Sequence, residues 1–377
     1  MPIEPIPTND LVPTICVGGA PSSGTTLLAD LLDSVPGLIC GPELYVMCIE
    51  EAYRFDERFK PAAMAQRHFA TRARYSADVA FFNRKYLGAT GLTEPALHEL
   101  IAASDSLPGF ITRFARHFAG YRGVALSAFA EKTPINVNYV GEFCRTFTNG
   151  VFVHVVRDGR DVARSLTRRG YSLYEAAMIW MQQVLAGRRA AQSHGRVVEI
   201  KYEELVNDPF VTTVQMAAKV GLAAAPAAIE VCFNSNQYRA GLPRVASWSV
   251  PVFDGKTHPN NPLQVLSWKN LRWLESLQLV QFQQGQADPH VVADFASLLG
   301  EYGYGIDAQD QVSRIAPTHH ENCYHEYLKK SSNLERHSGF ALMMKPEKMT
   351  GWSRRQYESL KALVRGTTTE SEDVSVS

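Results

Sequence analysis

Apolar positions along the chain follow two rhythms. Short unbroken runs suit strands buried on both faces, whereas apolar residues three and four apart suit helices packed on one side. TICVGG, starting at Thr14, is a run of the first kind, and PSSGTT then opens the helical stretch TTLLADLLDS. From Tyr45 to about Tyr121 the chain is rich in Phe, Tyr, Arg and His and keeps helical patterning, with breaks near Gly88 to Gly91 and at Pro108-Gly109, which predicts a helical insertion. GVALSAFAEKTP and VFVHVVRDGRDVARSL supply two more strands, the second closing on RDGRD before a helix. SLYEAAMIWMQQVLAGRRAAQ predicts a long helix, RVVEIKYEEL a strand running into a turn, and DPFVTTVQMAAKVGL another helix.

Strands alternating with helices predict an α/β fold, a parallel β-sheet flanked by helices. Between Asn234 and Trp273 the pattern dissolves into Gly, Pro, Asn, Ser and Trp, after which LESLQLVQF and HVVADFASLLGEYG look helical. The final TTTESEDVSVS lacks large apolar residues, so residues 366–377 are expected to form a disordered tail. No internal repeat is present, and residues 1–365 are expected to form a single domain.

A hydrophobic content of 45% over 377 residues supports a sizeable core. Lys+Arg and Asp+Glu both number 38, so no global field draws the chain to nucleic acid, an anionic membrane or a polyanion. Any anion site must be local. The first residues show no basic segment followed by an apolar one, and no run approaches the ~20 apolar residues of a membrane span. A cytoplasmic location is the expectation. Cys16, Cys40, Cys48, Cys144, Cys232 and Cys323 have no paired spacing, which predicts reduced and mostly buried thiols.

Gly19 to Thr26, GAPSSGTT, sits where a strand hands over to a helix N-terminus. Unpaired N–H groups and the positive end of the helix dipole hold an anion there. Gly24 lets the backbone approach a phosphate, while Ser22, Ser23, Thr25 and Thr26 add hydroxyl donors. The spacing is that of a P-loop, so the sheet is expected to be of P-loop type. Thr25, however, stands where a triphosphate-binding loop requires lysine, which disfavours a magnesium-dependent kinase or NTPase. Farther on, Arg157 leaves a strand end with a planar fork suited to phosphate, and Ser165 in the following helix offers another donor.

P-x-SGTT-L-L followed by VVRDGRDVARSL resembles the sulfotransferases that use 3′-phosphoadenosine 5′-phosphosulfate (PAPS), most nearly the tyrosylprotein sulfotransferases and related bacterial enzymes. The resemblance runs in patches from about Thr14 to Gly305. It implies that the loop at Ser22 to Thr26 holds the 5′-phosphosulfate and that Arg157 and Ser165 hold the 3′-phosphate. By the same matching, Glu43 falls on the catalytic base, Lys132 of EKTP on a lysine supporting the sulfonate, Arg169 on a second cofactor arginine, Tyr202 on a cofactor tyrosine, and Ser267 on a late serine near the sulfonate. The implied activity is transfer of a sulfuryl group from PAPS to a hydroxyl, without a metal and without nucleic acid. The acceptor would be a small molecule, lipid or sugar (glycan), with the helical insertion forming its side of the site.

This chain departs from the family in places. Ser22 replaces the usual Lys or Arg of the loop, which leaves Lys132 to bear that charge. Ala130 stands where secreted relatives place a cysteine that pairs with one near Cys40, and the insertion has no match. Glu131 competes with Glu43 for the role of base. Alternatives are protein-tyrosine sulfation, a P-loop kinase or NTPase, and a catalytically silent nucleotide-binding protein. Asp158 and Asp161 are expected to pair or cap, Arg160 and Arg164 to face solvent, and His154 to be a satisfied core histidine. His319, His320, Cys323 and His325 fit no zinc signature, and Trp248, Trp268 and Trp273 suit core packing as well as a pocket wall.

Overall fold

The computed structural model describes residues 6–65, 87–169, 171, 173–236, 274, 277–281, 290–304 and 340–344. Ser267, the three tryptophans 248, 268 and 273, the histidine cluster 319–325 and the tail 366–377 lie outside them. The chain divides into two compact units, one within Met1–Arg157 and Gln183–Pro259, the other within Asp158–Gln182 and Asn260–Ser377.

In chain order the elements begin with β1 (Thr14–Gly18), α1 (Thr25–Leu32), β2 (Leu38–Cys40), α2 (Lys60–Ala65), α3 (Glu94–Ala102) and α4 (Leu107–Arg122). They continue with β3 (Ala128–Lys132), α5 (Val140–Thr146), β4 (Val151–Val156), α6 (Gly159–Thr167) and α7 (Leu173–Ser193). β5 (Val197–Lys201), α8 (Tyr202–Asn207), α9 (Pro209–Ala218) and α10 (Pro226–Ser235) follow, and then β6 (Leu277–Gln281), β7 (His290–Asp294), α11 (Phe295–Glu301) and β8 (Phe340–Met344).

The first unit is built on a five-stranded sheet in the order β2-β3-β1-β4-β5, parallel at every pairing. Its strands are apolar runs because both faces are covered. Ile15, Val17, Ala130, Val153 and Val155 pack with Leu28 and Leu31 of α1, Met216 of α9 and Ile229 of α10. Their neighbours Cys16, Phe129 and Phe152 point the other way, to Leu97 of α3, Phe114 of α4 and Phe143 of α5. The expected parallel sheet flanked by helices is thus observed. In the described part of the insertion the backbone is helical, with short turns at Val46–Cys48 and Glu50–Tyr53 ahead of α2.

Asp33, just past α1, fixes the outer edge of this unit. Its carboxylate accepts from the Cys40 N–H at 2.7 Å, from Arg122 Nη1 at 2.6 Å and from Asn236 Nδ2 at 2.9 Å, tying β2, α4 and the end of α10 together. β2 itself was not expected. Three residues carry no periodicity, and only pairing with β3 makes them a strand. In that pairing Cys40 lies opposite Ala130, the position where the resemblance places a cysteine that pairs with one near Cys40. Cys16, Cys40, Cys48 and Cys144 are free and buried, and Cys232 is free and half-buried. The segment after β5, expected to be a turn, is the short helix α8.

In the second unit, α6 starts directly behind Asp158, whose side chain accepts from the Arg160 N–H at 2.9 Å. Arg160 is buried and paired with Asp158 at 2.7 Å, and Arg164 pairs with Asp161 at 2.7 Å. The expectation that both arginines face solvent is therefore corrected, and the capping role of Asp158 holds. A second correction concerns LQLVQ and HVVAD, which are the strands β6 and β7 and not helices. β6 is the centre of an antiparallel sheet ordered β7-β6-β8. Leu277 and Leu279 are buried while Gln278 is half-buried, a period of two that a window read for helix misses. The helix begins only at Phe295, where the Asp294 carboxylate accepts from the Ser297 N–H at 2.9 Å. The Phe295 ring meets Trp180 with centroids 4.7 Å apart.

Candidate functional site

β1 is the middle strand of its sheet, and β3 and β4 flank it, so the loop leaving its carboxyl end sits at a switch point where open α/β sheets hold ligands. The Gly19 N–H anchors this loop to the Pro134 carbonyl at 2.8 Å, and the Ser23 N–H turns back to Ala20 at 2.9 Å. Ser22 and Gly24 both adopt positive φ, 75° and 101°. For Gly24 there is also no room, since a Cβ would come within 2.2 Å of Tyr202 Cδ2. No side chain caps α1 at Gly24, leaving its first-turn N–H groups for another acceptor. Ser23 Oγ is buried and has no hydrogen-bond partner among the described residues. A helix N-terminus with a close-approach glycine and an orphaned buried hydroxyl fits a phosphate or sulfate oxygen.

Arg157, one residue past β4, donates from Nη1 to the Ser22 carbonyl at 3.2 Å. Its guanidinium lies over the Tyr202 ring, 4.2 Å from the centroid. Ser22, Gly24, Arg157 and Tyr202 are thereby gathered into one group, and a cation reaches the loop backbone at the position whose own side chain carries no charge.

A second group forms at the end of β3, which register places beside Val17. Lys132 Nζ donates to Glu43 Oε1 and, at 3.3 Å, to Thr26 Oγ1 in the first turn of α1. Glu43 accepts at its other oxygen from the Tyr45 hydroxyl at 2.8 Å. Both members of the ion pair are 4% exposed. An acid, a base and a hydroxyl of the anion loop thus meet through one ammonium.

Glu131 is the residue before Lys132, so strand alternation sends its side chain to the opposite face. It is fully buried and accepts from the Leu44 N–H at 3.1 Å, from Thr133 Oγ1 at 2.6 Å and from Asn136 Nδ2. Burial pushes its carboxyl up to about 7; these hydrogen bonds pull the other way, and the charge of Glu43 adds to the rise. Sequence reasoning saw Glu131 only as a competitor to Glu43, and missed Tyr45, Thr133 and Asn136. EKTPIN holds the last two, but nothing in its spacing reveals that they share a carboxylate.

Ser165 and Arg169 belong to the second unit, the first on α6 and the second two residues beyond it, both half-buried. His154 is in the core as expected, but neither ring nitrogen has a hydrogen-bond partner among the described residues, and Glu199 stands 3.9 Å from Nδ1. The word satisfied does not apply to it. Among the described residues no cluster of His, Cys, Asp and Glu could hold a metal, and no helix is long and apolar enough to cross a membrane.

The chain is 25% identical over 212 residues to the protein-tyrosine sulfotransferase of Drosophila melanogaster, covering 53% of this chain and 36% of that protein. It is 25% identical over 209 residues to protein-tyrosine sulfotransferase 2 of Gallus gallus, covering 52% of this chain and 48% of the relative. The chain spans about half the length of the curated relatives it matches. Among solved structures, the sulfotransferase domain of the olefin synthase of Synechococcus aligns with a TM-score of 0.41 at 20% identity, covering 60% of this chain and 76% of that one. A family model described as the sulfotransferase family matches residues 13–226, more than half of the sequence, and the chain belongs to that family.

Proposed function

We propose that the chain moves a sulfuryl group from PAPS to a hydroxyl of a small molecule, lipid or sugar. The observation that carries this reading is Lys132 bonded at once to Glu43 and to Thr26 of the anion loop. In the proposed reaction the acceptor oxygen attacks sulfur as the bond to the 5′-phosphate oxygen breaks, and the acceptor proton passes to Glu43. PAPS supplies the activated sulfuryl group.

The residues of this chain do the rest. N–H groups of the first turn of α1 and the Ser23 hydroxyl hold the 5′ end, while Lys132 and Thr26 face the charge that develops during transfer. Tyr202, under the Arg157 guanidinium, serves the adenosine side; by family matching alone, Arg157 and Ser165 are 3′-phosphate ligands and Arg169 is a second arginine that contacts the cofactor. Ser267 has its role from the same matching alone. Support for a base at Glu43 comes from its place, since its carboxylate shares the Lys132 ammonium with Thr26 of the anion loop. The cytoplasm is the proposed compartment, in keeping with free cysteines at 16, 40, 48, 144 and 232.

Calorimetry with adenosine 3′,5′-bisphosphate in the absence of magnesium is the first test, and binding is the expected result. Labelled PAPS incubated with a library of alcohols, phenols and sugars, read by mass spectrometry, should then reveal a sulfonated product that Glu43→Gln abolishes. Preference for ATP with magnesium over the bisphosphate would overturn the reading.

A further inference from the structure

The turn that carries Glu43 is held in a conformation its own sequence does not favour. Tyr45 has φ 60°, in the left-handed region where non-glycine residues are uncommon. No glycine relieves that position, so neighbours must hold it. Two do so. The Leu44 N–H donates to Glu131 Oε1 at 3.1 Å, and the Tyr45 N–H donates to Thr133 Oγ1 at 3.4 Å. The Thr133 hydroxyl donates its own proton to the same Glu131 oxygen at 2.6 Å. Asn136 Nδ2 holds the other Glu131 oxygen and also reaches the Val17 carbonyl at 3.3 Å, which ties the carboxylate to β1.

One buried carboxylate therefore gathers, directly or through Thr133, both peptide N–H groups after Glu43. The same strand sends Lys132 to Glu43 from its other face. β3 thus grips the turn from two sides, through adjacent residues with different tasks. When ionised, the Glu131 carboxylate is acceptor-only, and every donor around it then finds a lone pair. A fully buried carboxylate is costly, and its retention here is explained by a positional task.

We infer that Glu131, with Thr133 as its relay, is a positioning residue that holds the turn from Glu43 to Tyr45 so that the Glu43 carboxylate meets Lys132 and the anion loop. The inference rests on the proposed role of Glu43 but makes a claim about the turn that stands apart from it.

The test uses the full chain and the variants Glu131→Gln, Thr133→Val, Thr133→Ser and Glu43→Gln. Amide hydrogen exchange is measured at Leu44 and Tyr45, together with bisphosphate affinity by calorimetry and product formation from labelled PAPS with the acceptor library. Glu131→Gln should raise exchange at Leu44, and Thr133→Val at Tyr45, while exchange in β1 and β4 is unchanged. Bisphosphate affinity should hold in both, and kcat should drop by about 100-fold, the effect expected of an acid or base displaced by about 1 Å. Thr133→Ser keeps the hydroxyl and should restore protection and rate. Unchanged exchange at Leu44 and Tyr45 overturns the inference whatever the turnover. So does a full rate in Glu131→Gln when Glu43→Gln is inactive. If Glu43→Gln is fully active, the proposed base falls instead, and the exchange data alone decide the role of Glu131.

Discussion

Lys132 joins Glu43 to Thr26, so a single ammonium at the end of β3 bridges a buried carboxylate and the first turn of α1. Removing it leaves the Glu43 charge buried without its cation. Lys132→Met should lower stability by about 3–5 kcal/mol, the usual cost of breaking a buried pair from one side. Sulfuryl transfer should drop by roughly 100- to 1,000-fold as a fixed cation is lost from the transition state. Thermal unfolding and labelled-PAPS turnover check the two parts. Adding Glu43→Gln to Lys132→Met should recover much of the stability and none of the rate.

Gly24 leaves no space for a side chain. Gly24→Ala places a methyl 2.2 Å from the Tyr202 ring and strains a backbone at φ 101°. Tyr202 has to move, and with it the stack under Arg157. Calorimetry should show adenosine 3′,5′-bisphosphate bound about 5- to 150-fold more weakly, as a strain of roughly 1–3 kcal/mol implies.

Arg157 sits 4.2 Å over the Tyr202 ring centroid while donating to the Ser22 carbonyl. Arg157→Lys keeps the charge and loses the fork and the stack. Bisphosphate affinity should fall by about tenfold or more, at about 1.4 kcal/mol per tenfold. Tyr202→Phe, which keeps the ring, should bind nearly as well as the unaltered protein, whereas Tyr202→Ala should not.

Glu131 makes stability depend on pH in a definite direction. Its carboxyl is raised from 4.5 to about 7 in the folded protein, so between those values the folded state holds a proton that the unfolded state has released. Stability from this group is therefore complete below about pH 4.5 and is lost as pH rises through 7, by on the order of 3 kcal/mol. Urea unfolding followed from pH 4.5 to 8 should show this decline, and Glu131→Gln should remove it. A rise in stability over that window, relative to the glutamine variant, is the contrary result.

Much of the first unit was legible because parallel strands covered on both faces are long apolar runs, and TICVG and VFVHVV are such runs. LQLVQ misled for the opposite reason. A short stretch with an apolar residue at every second place is compatible with a helix until a partner strand is seen, and β6 is defined by β7 and β8. The expectation that Arg160 faces solvent fails because its side chain folds back on the Asp158 cap of α6, a contact that no periodicity encodes.

What the sequence determined by itself was the order of chemistry along the chain: an anion loop at a strand end, an acid turn, a lysine turn and an arginine turn. Local spacing suffices for the anion loop, because a strand-loop-helix junction exposes N–H groups wherever it occurs, whereas the acid turn at Glu43 and the lysine turn at Lys132 are marked by the family resemblance. Only the tertiary structure decided which residues meet. The parallel register of β1 and β3 sets Lys132 beside Val17 and turns Glu131 to the other face, so two adjacent residues reach the Glu43 turn by different routes. Pleating and register act between segments far apart in the chain, and no pattern within either segment encodes their meeting.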